Sequence, residues 1–208
     1  MATLLAKDIA PASKVMVEIR QPFGEYYAKN QKSIPPLMYA DLLIQGAVAF
    51  DGFSVRLIMG QAQPGQYARD LMQISSMLDQ FASLNKPMFL TIAVPSDIVT
   101  QMMLPGTQSG EPVDPNCGSW RKPWSGHVQA HWFEAMMHIA LSKPYIEGVV
   151  WQEIVDHPGI ELPLAGLMGE DLSPKHSFKR LAAFRSALQS ESPLAPTLGS
   201  SAEQIVAE

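Results

Sequence analysis

The sequence is very poor in cysteine. Among 208 residues there is one cysteine, Cys117. A single thiol cannot form an intramolecular disulfide, and it excludes zinc or iron–sulfur sites that are built from several cysteines. Because of this, cysteine usage says nothing about the redox compartment of the protein.

Basic residues are also in short supply. The chain has 15 Lys and Arg against 20 Asp and Glu, which gives a net charge of -5 and a pI near 5.5. Proteins that bind nucleic acid need a basic face that neutralises phosphates. We therefore predict no nucleic-acid partner, and we favour an acidic or neutral small molecule or a neutral polymer as the ligand.

Long apolar runs are missing as well. With 47% hydrophobic and 17% charged residues the chain can bury the core of one domain. However, it contains no stretch of about 18 uncharged apolar residues that would span a membrane, and residues 1–8 carry an early acid and no apolar core for export. We expect no membrane partner and a protein that is cytoplasmic as written, or a fragment of a longer chain.

What the sequence does contain is a regular alternation of strand and helix patterns. Strands are predicted at 14–20, 53–59, 87–95 and 146–152, and helices at 35–44, 67–81, 125–142 and 176–188. No convincing hairpin separates the strands, so parallel crossovers are expected. We divide the chain into a lead-in at 1–13, one domain at 14–189 and a flexible tail at 190–208.

Parallel β/α units build either a barrel or a doubly wound sheet. No glycine-rich phosphate loop follows any predicted strand, which weakens the nucleotide-binding alternative and leads us to predict no cofactor. A complete (β/α)8 barrel takes about 250 residues, so four units amount to half of one. The predicted fold class is therefore α/β, and a half barrel of the TIM type is favoured over the doubly wound sheet.

The stretch at 87–95 is an apolar run that is too short for a helix and is closed by a proline, so we predict a buried parallel strand. Active sites of α/β barrels lie at the carboxyl ends of the strands. Between Lys86 and Ser96 there is no carboxylate, histidine or cysteine. The sequence thus indicates an enzyme-like scaffold more firmly than an active enzyme.

Four stretches carry a resemblance to a known family. In order and spacing they resemble the second half of a clan A glycoside hydrolase barrel, closest to the xylanase-like family 10. Residues 50–57 resemble its sixth strand, 86–91 its seventh, 149–151 with Asp156 its eighth, and 166–178 the signature before its last helix. The resemblance implies strands five to eight of the barrel and a cleft that binds β-linked oligosaccharide or polysaccharide.

The resemblance fails where the family does its chemistry. The nucleophilic glutamate of the family corresponds to Ile92, and its sixth-strand Gln and His correspond to Arg56 and Ile58. The acid/base glutamate would precede residue 1. Glycoside hydrolysis ordinarily uses two carboxylates, so the resemblance implies a glycoside hydrolase-like domain that is weakly active or inactive on β-glycosides.

Three glutamates are candidates for a substitute catalytic pair. Glu18 and Glu25 lie on or just after the first strand, and Glu153 follows the fourth. A carboxyl group that points into a barrel would have a raised pKa and could act as an acid. The alternative for Glu18 is an ion pair with Arg20 or Arg56.

Six residues are candidates for substrate binding because they combine hydrogen-bonding groups or flat aromatic faces with positions after strands or in the long loop at 97–125. They are Gln21, Arg56, Trp120, Trp124, Trp151 and Asp156. Tryptophan faces stack on sugar rings. The alternatives are a loop-packing cluster for the tryptophans at 120 and 124, and a carboxylate that fastens its own loop for Asp156.

A histidine pair in the third predicted helix raises the question of a metal. His127 and His131 stand four residues apart with Glu134 beyond them, a spacing at which both rings leave the same helix face. Val128 replaces the acid of metalloprotease helices. We favour partly exposed histidines on an outer helix and predict no metal site.

A different class of function also fits the pattern. Four strands cannot close a barrel, and an open sheet leaves two edges to be covered. The alternative hypothesis is therefore a non-catalytic half-barrel module that assembles with itself or with a partner chain supplying the first four strands.

Overall fold

The structure, a computed structural model, describes residues 2–24, 27–28, 32–61, 65–98 and 119–190. Its elements in chain order are α1 (Ala2–Ile9), β1 (Met16–Ile19), α2 (Pro36–Gln45), β2 (Gly52–Ile58), α3 (Leu71–Ala82), β3 (Met88–Ala93), β4 (Ser119–Trp120), β5 (Lys122–Pro123), α4 (Gly126–Leu141), β6 (Ile146–Trp151) and α5 (His176–Gln189). No helix among these described segments has the length and apolar character needed to cross a membrane.

Four strands form one parallel sheet in the order β1-β2-β3-β6. The helices α2, α3 and α4 connect successive strands of this sheet. The predicted α/β half barrel of parallel units is thereby confirmed. The sheet places the carboxyl ends of all four strands at one end of the domain, where sites lie in α/β barrels.

One face of the sheet packs on the helices. Alternate residues of the two central strands are 0–1% exposed and share a core with side chains of α3 and α4. They are Phe53, Val55 and Leu57 of β2 with Leu90 and Ile92 of β3, against Ile74, Leu78, Trp132 and Met136. Since side chains alternate along a strand, the intervening residues must lie on the opposite, concave face.

The helices begin where local chemistry favours a start. The carboxylate of Asp70 accepts a hydrogen bond from the backbone N–H of Met72 at 2.7 Å, which caps α3. Ser125 caps α4 in the same way through the N–H of Val128 at 3.3 Å. The α3 helix therefore begins at Leu71, four residues after its predicted start.

Two short elements differ from the sequence-based expectation. Helix α1 lies in the stretch expected to be a lead-in, and its Leu4, Leu5 and Ile9 are 58%, 58% and 76% exposed, so its apolar residues do not signal a core face. The β4–β5 pair is an antiparallel hairpin that the sequence did not indicate. Each of its strands has two residues, and Arg121 turns between them with a φ of 62°.

Candidate functional site

The concave face of the sheet carries the polar side chains of the strands. Strand register aligns its residues in rows: Glu18 with Ser54, Arg56 with Thr91, and Ile58 with Ala93. The Glu18 row lies toward the amino ends of the strands and the Ile58 row at the carboxyl ends. A polar level is thus followed by an apolar one toward the mouth.

Arg56 is the centre of a charged network on this face. It is 8% exposed, and one terminal nitrogen donates to the Gln152 side-chain oxygen at 2.8 Å and to Glu161 at 2.5 Å. Its other terminal nitrogen lies 3.9 Å from Glu18, and Gln152 donates to the same Glu161 oxygen at 3.2 Å. The network therefore joins β1, β2 and the segment after β6.

Glu161 is the functional candidate that the sequence reasoning missed. Partial burial of its carboxyl group opposes ionisation, but hydrogen bonds from Arg56 and Gln152, together with the charges of Arg56 and Arg20, outweigh it and lower the pKa. Glu161 is thus ionised at neutral pH. Nothing in the sequence marks it, because it lies in an irregular segment ten or so residues beyond the strand whose mouth it reaches.

The segment between β6 and α5 folds back over the concave face. Its Ile160, Leu162 and Ala165 are 4%, 1% and 0% exposed and form a second apolar cluster with Ile58 and Ala93. The concave face at Ile58 and Ala93 is therefore covered by the protein itself. The polar network lies directly beside this cover, since Gln61 donates to the backbone oxygen of Glu161 at 3.0 Å.

Asp156 fastens this covering segment. Its carboxylate accepts a hydrogen bond from the backbone N–H of Gly166 at 2.7 Å and forms an ion pair with Lys175. A Cβ atom at position 166 would lie 2.5 Å from the backbone nitrogen of Asp156, so only glycine fits there. The local role weighed for Asp156 in the sequence is present in the structure, and a role in substrate binding stays a prediction.

Trp151 lies on the helix-facing side of β6. Its ring meets that of Phe133 edge to face with centroids 5.8 Å apart. Its indole nitrogen donates to the backbone oxygen of Ala165 at 2.8 Å. The indole thus links the helix-facing side of β6 to the covering segment. The neighbouring residues Val150 and Gln152 lie on the concave side.

The other two candidate tryptophans are buried. Trp120 is 8% exposed, with the Arg121 guanidinium 4.8 Å from its ring centre, and Trp124 is 2% exposed. The Trp124 indole N–H has no hydrogen-bond acceptor among the described residues. This nitrogen lies 3.1 Å from the position that a Cβ on Gly60 would take, which places it at the end of β2.

The remaining candidates are distributed around the mouth. Gln21, just beyond β1, lies beside Gly65, whose added Cβ would be 3.4 Å from the Gln21 amide carbon. Glu153, just beyond β6, lies 3.9 Å from the ring of His157. Glu25 lies outside the described residues. The structure therefore brings Glu18 and Arg56 into one network but does not connect Glu153 to it by any described contact.

Strand β3 offers no carboxylate in either direction. Ile92, the position that matches the family nucleophile, is fully buried on the helix-facing side. Its neighbours Thr91 and Ala93 lie on the concave face. A shift of register by one residue would move a different residue to the concave face, but all three of these residues lack an ionisable group.

The histidine pair of α4 does not create an evident metal centre. Within the described ranges there is no group of three or more His, Cys, Asp or Glu residues placed to hold a metal ion. His127 stacks instead on His176 of α5, with ring centroids 3.9 Å apart.

Comparison with known proteins shows the fold. No family model matches the sequence, and no curated protein matches it. Among solved structures, xylanase 10B from Thermotoga maritima is similar with a TM-score of 0.58 and 16% identity, over 91% of this chain and 52% of that one. The Faecalibacterium prausnitzii beta-glucuronidase matches with a TM-score of 0.57 and 14% identity, over 90% of this chain and 27% of that one.

A third similar structure contains a sugar. It is a mutant of the intracellular xylanase TsXylA from Thermoanaerobacterium saccharolyticum in complex with xylotetraose, with a TM-score of 0.54 and 16% identity, over 86% of this chain and 47% of that one. The chain thus spans about half the length of the xylanases it matches. The structural similarity to glycoside hydrolases of family 10 confirms the predicted resemblance at the level of the fold.

Proposed function

We propose that this protein is a glycoside hydrolase-like half barrel that binds β-linked oligosaccharides at the carboxyl ends of its strands and does not hydrolyse them by a two-carboxylate mechanism. One observation carries the second part. The central strand β3, where the resemblance expects the nucleophile, ends in Thr91, Ile92 and Ala93. None of the three carries a carboxylate, the group that attacks the anomeric carbon in retaining glycoside hydrolases and accepts a proton in inverting ones.

The carboxylates of the network do not replace the missing pair. Hydrolysis needs one carboxyl group that keeps its proton near neutral pH. Glu161 is held in its ionised form by Arg56, so it is not that acid. Glu18, Glu25 and Glu153 are the acids left for any weak residual activity.

The proposed binding role rests on the groups around the mouth. A guanidinium, amides and carboxylates are the groups that exchange hydrogen bonds with sugar hydroxyls. Arg56 and Gln152 lie on the concave face, and Gln21 lies beside it at the end of β1. The buried Trp124 N–H is a further donor at the end of β2. The xylotetraose bound to a similar barrel supports a xylo-oligosaccharide as the first ligand to test.

Two measurements test this proposal together. Calorimetry with xylotetraose and cellotetraose is expected to give saturable binding that weakens in Arg56→Lys, which keeps the charge but loses the planar donor pair. Release of chromophore from aryl β-xylosides and β-glucosides is expected to stay at the level of buffer. Turnover that disappears in Glu18→Gln, Glu25→Gln or Glu153→Gln would instead identify a working hydrolase.

A second function is favoured by the edges of the sheet. Among the described strands, β1 and β6 each pair on one side only. On the concave face Val150 of β6 is 53% exposed. A second copy related by a twofold axis along the barrel would pair β6 with β1 of its partner and keep all strands parallel. Sedimentation tests this alternative: a stable dimer supports it, and a monomer at high concentration contradicts self-assembly.

A further inference from the structure

A groove on the outer layer of the domain has no part in the functions considered above. It has a volume of about 230 Å³ and lies between α4 and α5. Two alanines form part of its wall, and its other lining residues are His127, His131, His176, Lys179 and Arg180. Every ionisable side chain that lines the groove is therefore a cation or becomes one on protonation.

The charges around the groove are unevenly matched. One acid, Glu134 of α4, lies 3.7 Å from Arg180. No hydrogen bond or ion pair with another described residue engages the side chains of His131 or Lys179. The protein as a whole has a net charge of -5, so the positive charge of this groove is opposite in sign to that of the chain. The summed field of these side chains attracts anions.

Two of the histidines are stacked. The rings of His127 and His176 have centroids 3.9 Å apart and planes inclined by 30°. Burial, then the neighbouring His127 and Lys179, lowers the pKa of His176. Stacked imidazolium rings repel each other, and a bound anion would offset that repulsion. Binding of an anion and uptake of protons are therefore coupled at this position.

The starts of both helices contribute in the same direction. His127 lies in the first turn of α4, and His176 is the first residue of α5. The first N–H groups of a helix and its dipole favour negative charge. Ser125 caps the start of α4, but Lys175, the residue before α5, gives no side-chain cap to the first N–H groups of that helix.

We propose that this groove binds a small anion of the phosphate class, with Lys179 and the imidazoles of His127, His131 and His176 as its ligands. The anion is either free phosphate or the terminal group of a small phosphate monoester. The groove is separate from the concave face, so either proposal can fail without the other.

Titration of the full chain tests the site and its ligand. At a pH near 6, inorganic phosphate and glycerol 3-phosphate are followed by calorimetry and by histidine ring resonances. Lys179→Met and His176→Asn are each expected to weaken binding about tenfold, the loss typical of one charge-assisted hydrogen bond. The matched controls Arg185→Met on the same helix and His157→Asn in a loop are expected to leave the affinity unchanged.

Sulfate separates the protonation of the protein from that of the ligand, because it stays a dianion across the range of histidine titration. Its affinity is expected to fall about tenfold or more from about pH 5.5 to about pH 8, and the His176 pKa to rise when sulfate is bound. Tighter binding of glycerol 3-phosphate than of phosphate would assign the groove to monoesters, and equal binding to free phosphate. Affinities that are equal in the groove variants and the controls would overturn the proposal.

Discussion

The two faces of the sheet are stabilised in different ways. On the helix-facing side the central strands present only apolar side chains, such as Val55 and Leu90, which are fully buried against α3 and α4. On the concave side Arg56 holds β1, β2 and the segment after β6 together by charge and hydrogen bonds. The first face needs only apolar volume, whereas the second needs particular partners, and this makes the concave face sensitive to single polar changes.

The largest expected effect comes from the helix-facing side. Leu90→Ala removes a fully buried side chain of β3 and is expected to lower the free energy of unfolding by about 2–5 kcal/mol. The matched change on the concave face, Thr91→Ala, is expected to cost less than about 1 kcal/mol. Urea unfolding of both variants measures the difference, and equal losses would mean that the two faces are equally packed.

The next effect tests the network. Arg56→Met leaves Glu161 and Gln152 without their common donor and is expected to cost about 1–3 kcal/mol, a range reduced for the partial exposure of Glu161. Arg20→Met is the control, since Arg20 is 66% exposed and lies 3.9 Å from the same carboxylate. Its free energy of unfolding is expected to stay within about 0.5 kcal/mol of that of the parent. A similar cost for both arginines would contradict a role specific to Arg56.

The acidic limb of the stability curve tests the same network in another way. The pKa of Glu161 is lowered in the folded protein, so its contribution to stability is complete above the unfolded value of about 4.3 and is lost as the pH falls through the folded value. The advantage of the parent over Glu161→Gln is therefore expected to shrink between about pH 5 and about pH 3. A constant difference across this range would show that the charge of Glu161 does not contribute.

The smallest effect compares the partly buried Trp151 with the buried Trp124. Trp151→Phe removes the hydrogen bond to Ala165, whereas the Trp124 N–H has no acceptor among the described residues. Both changes lose the same volume, so Trp151→Phe is expected to be the more destabilising by about 1 kcal/mol. A larger loss in Trp124→Phe would contradict this ranking. Thermal unfolding of the two variants is sufficient to rank them.

The architecture was readable from the sequence because apolar periodicity is strong in β2, α3 and β3. The concave face was harder to predict, since the residues of β3 are apolar except for Thr91 and lack the alternation that would show which of them point to the mouth. The contact of Glu18 with Arg56 was available as an alternative, because both lie on strands. The contact of Glu161 with Arg56 could not be predicted, because the two residues are 105 positions apart in the sequence.

The tryptophans show why a residue type does not settle a role. Sequence position put Trp151 at the end of a strand, where a sugar-stacking residue is expected, and the structure turns its ring toward Phe133. The strand parity that decides this is shared with Val149, which packs against the same core. The contact of Trp151 with a sugar remains a prediction.

The central claim is that the mouth binds a sugar chain and leaves it intact. Titration of the isotope-labelled protein with xylotetraose, observed at the Arg56 side-chain N–H and the Gln152 side-chain amide, tests it most directly. Saturable shifts of both signals, with the tetrasaccharide unchanged after the titration, are the expected result. Signals that do not move, or the appearance of shorter sugars, would contradict the claim.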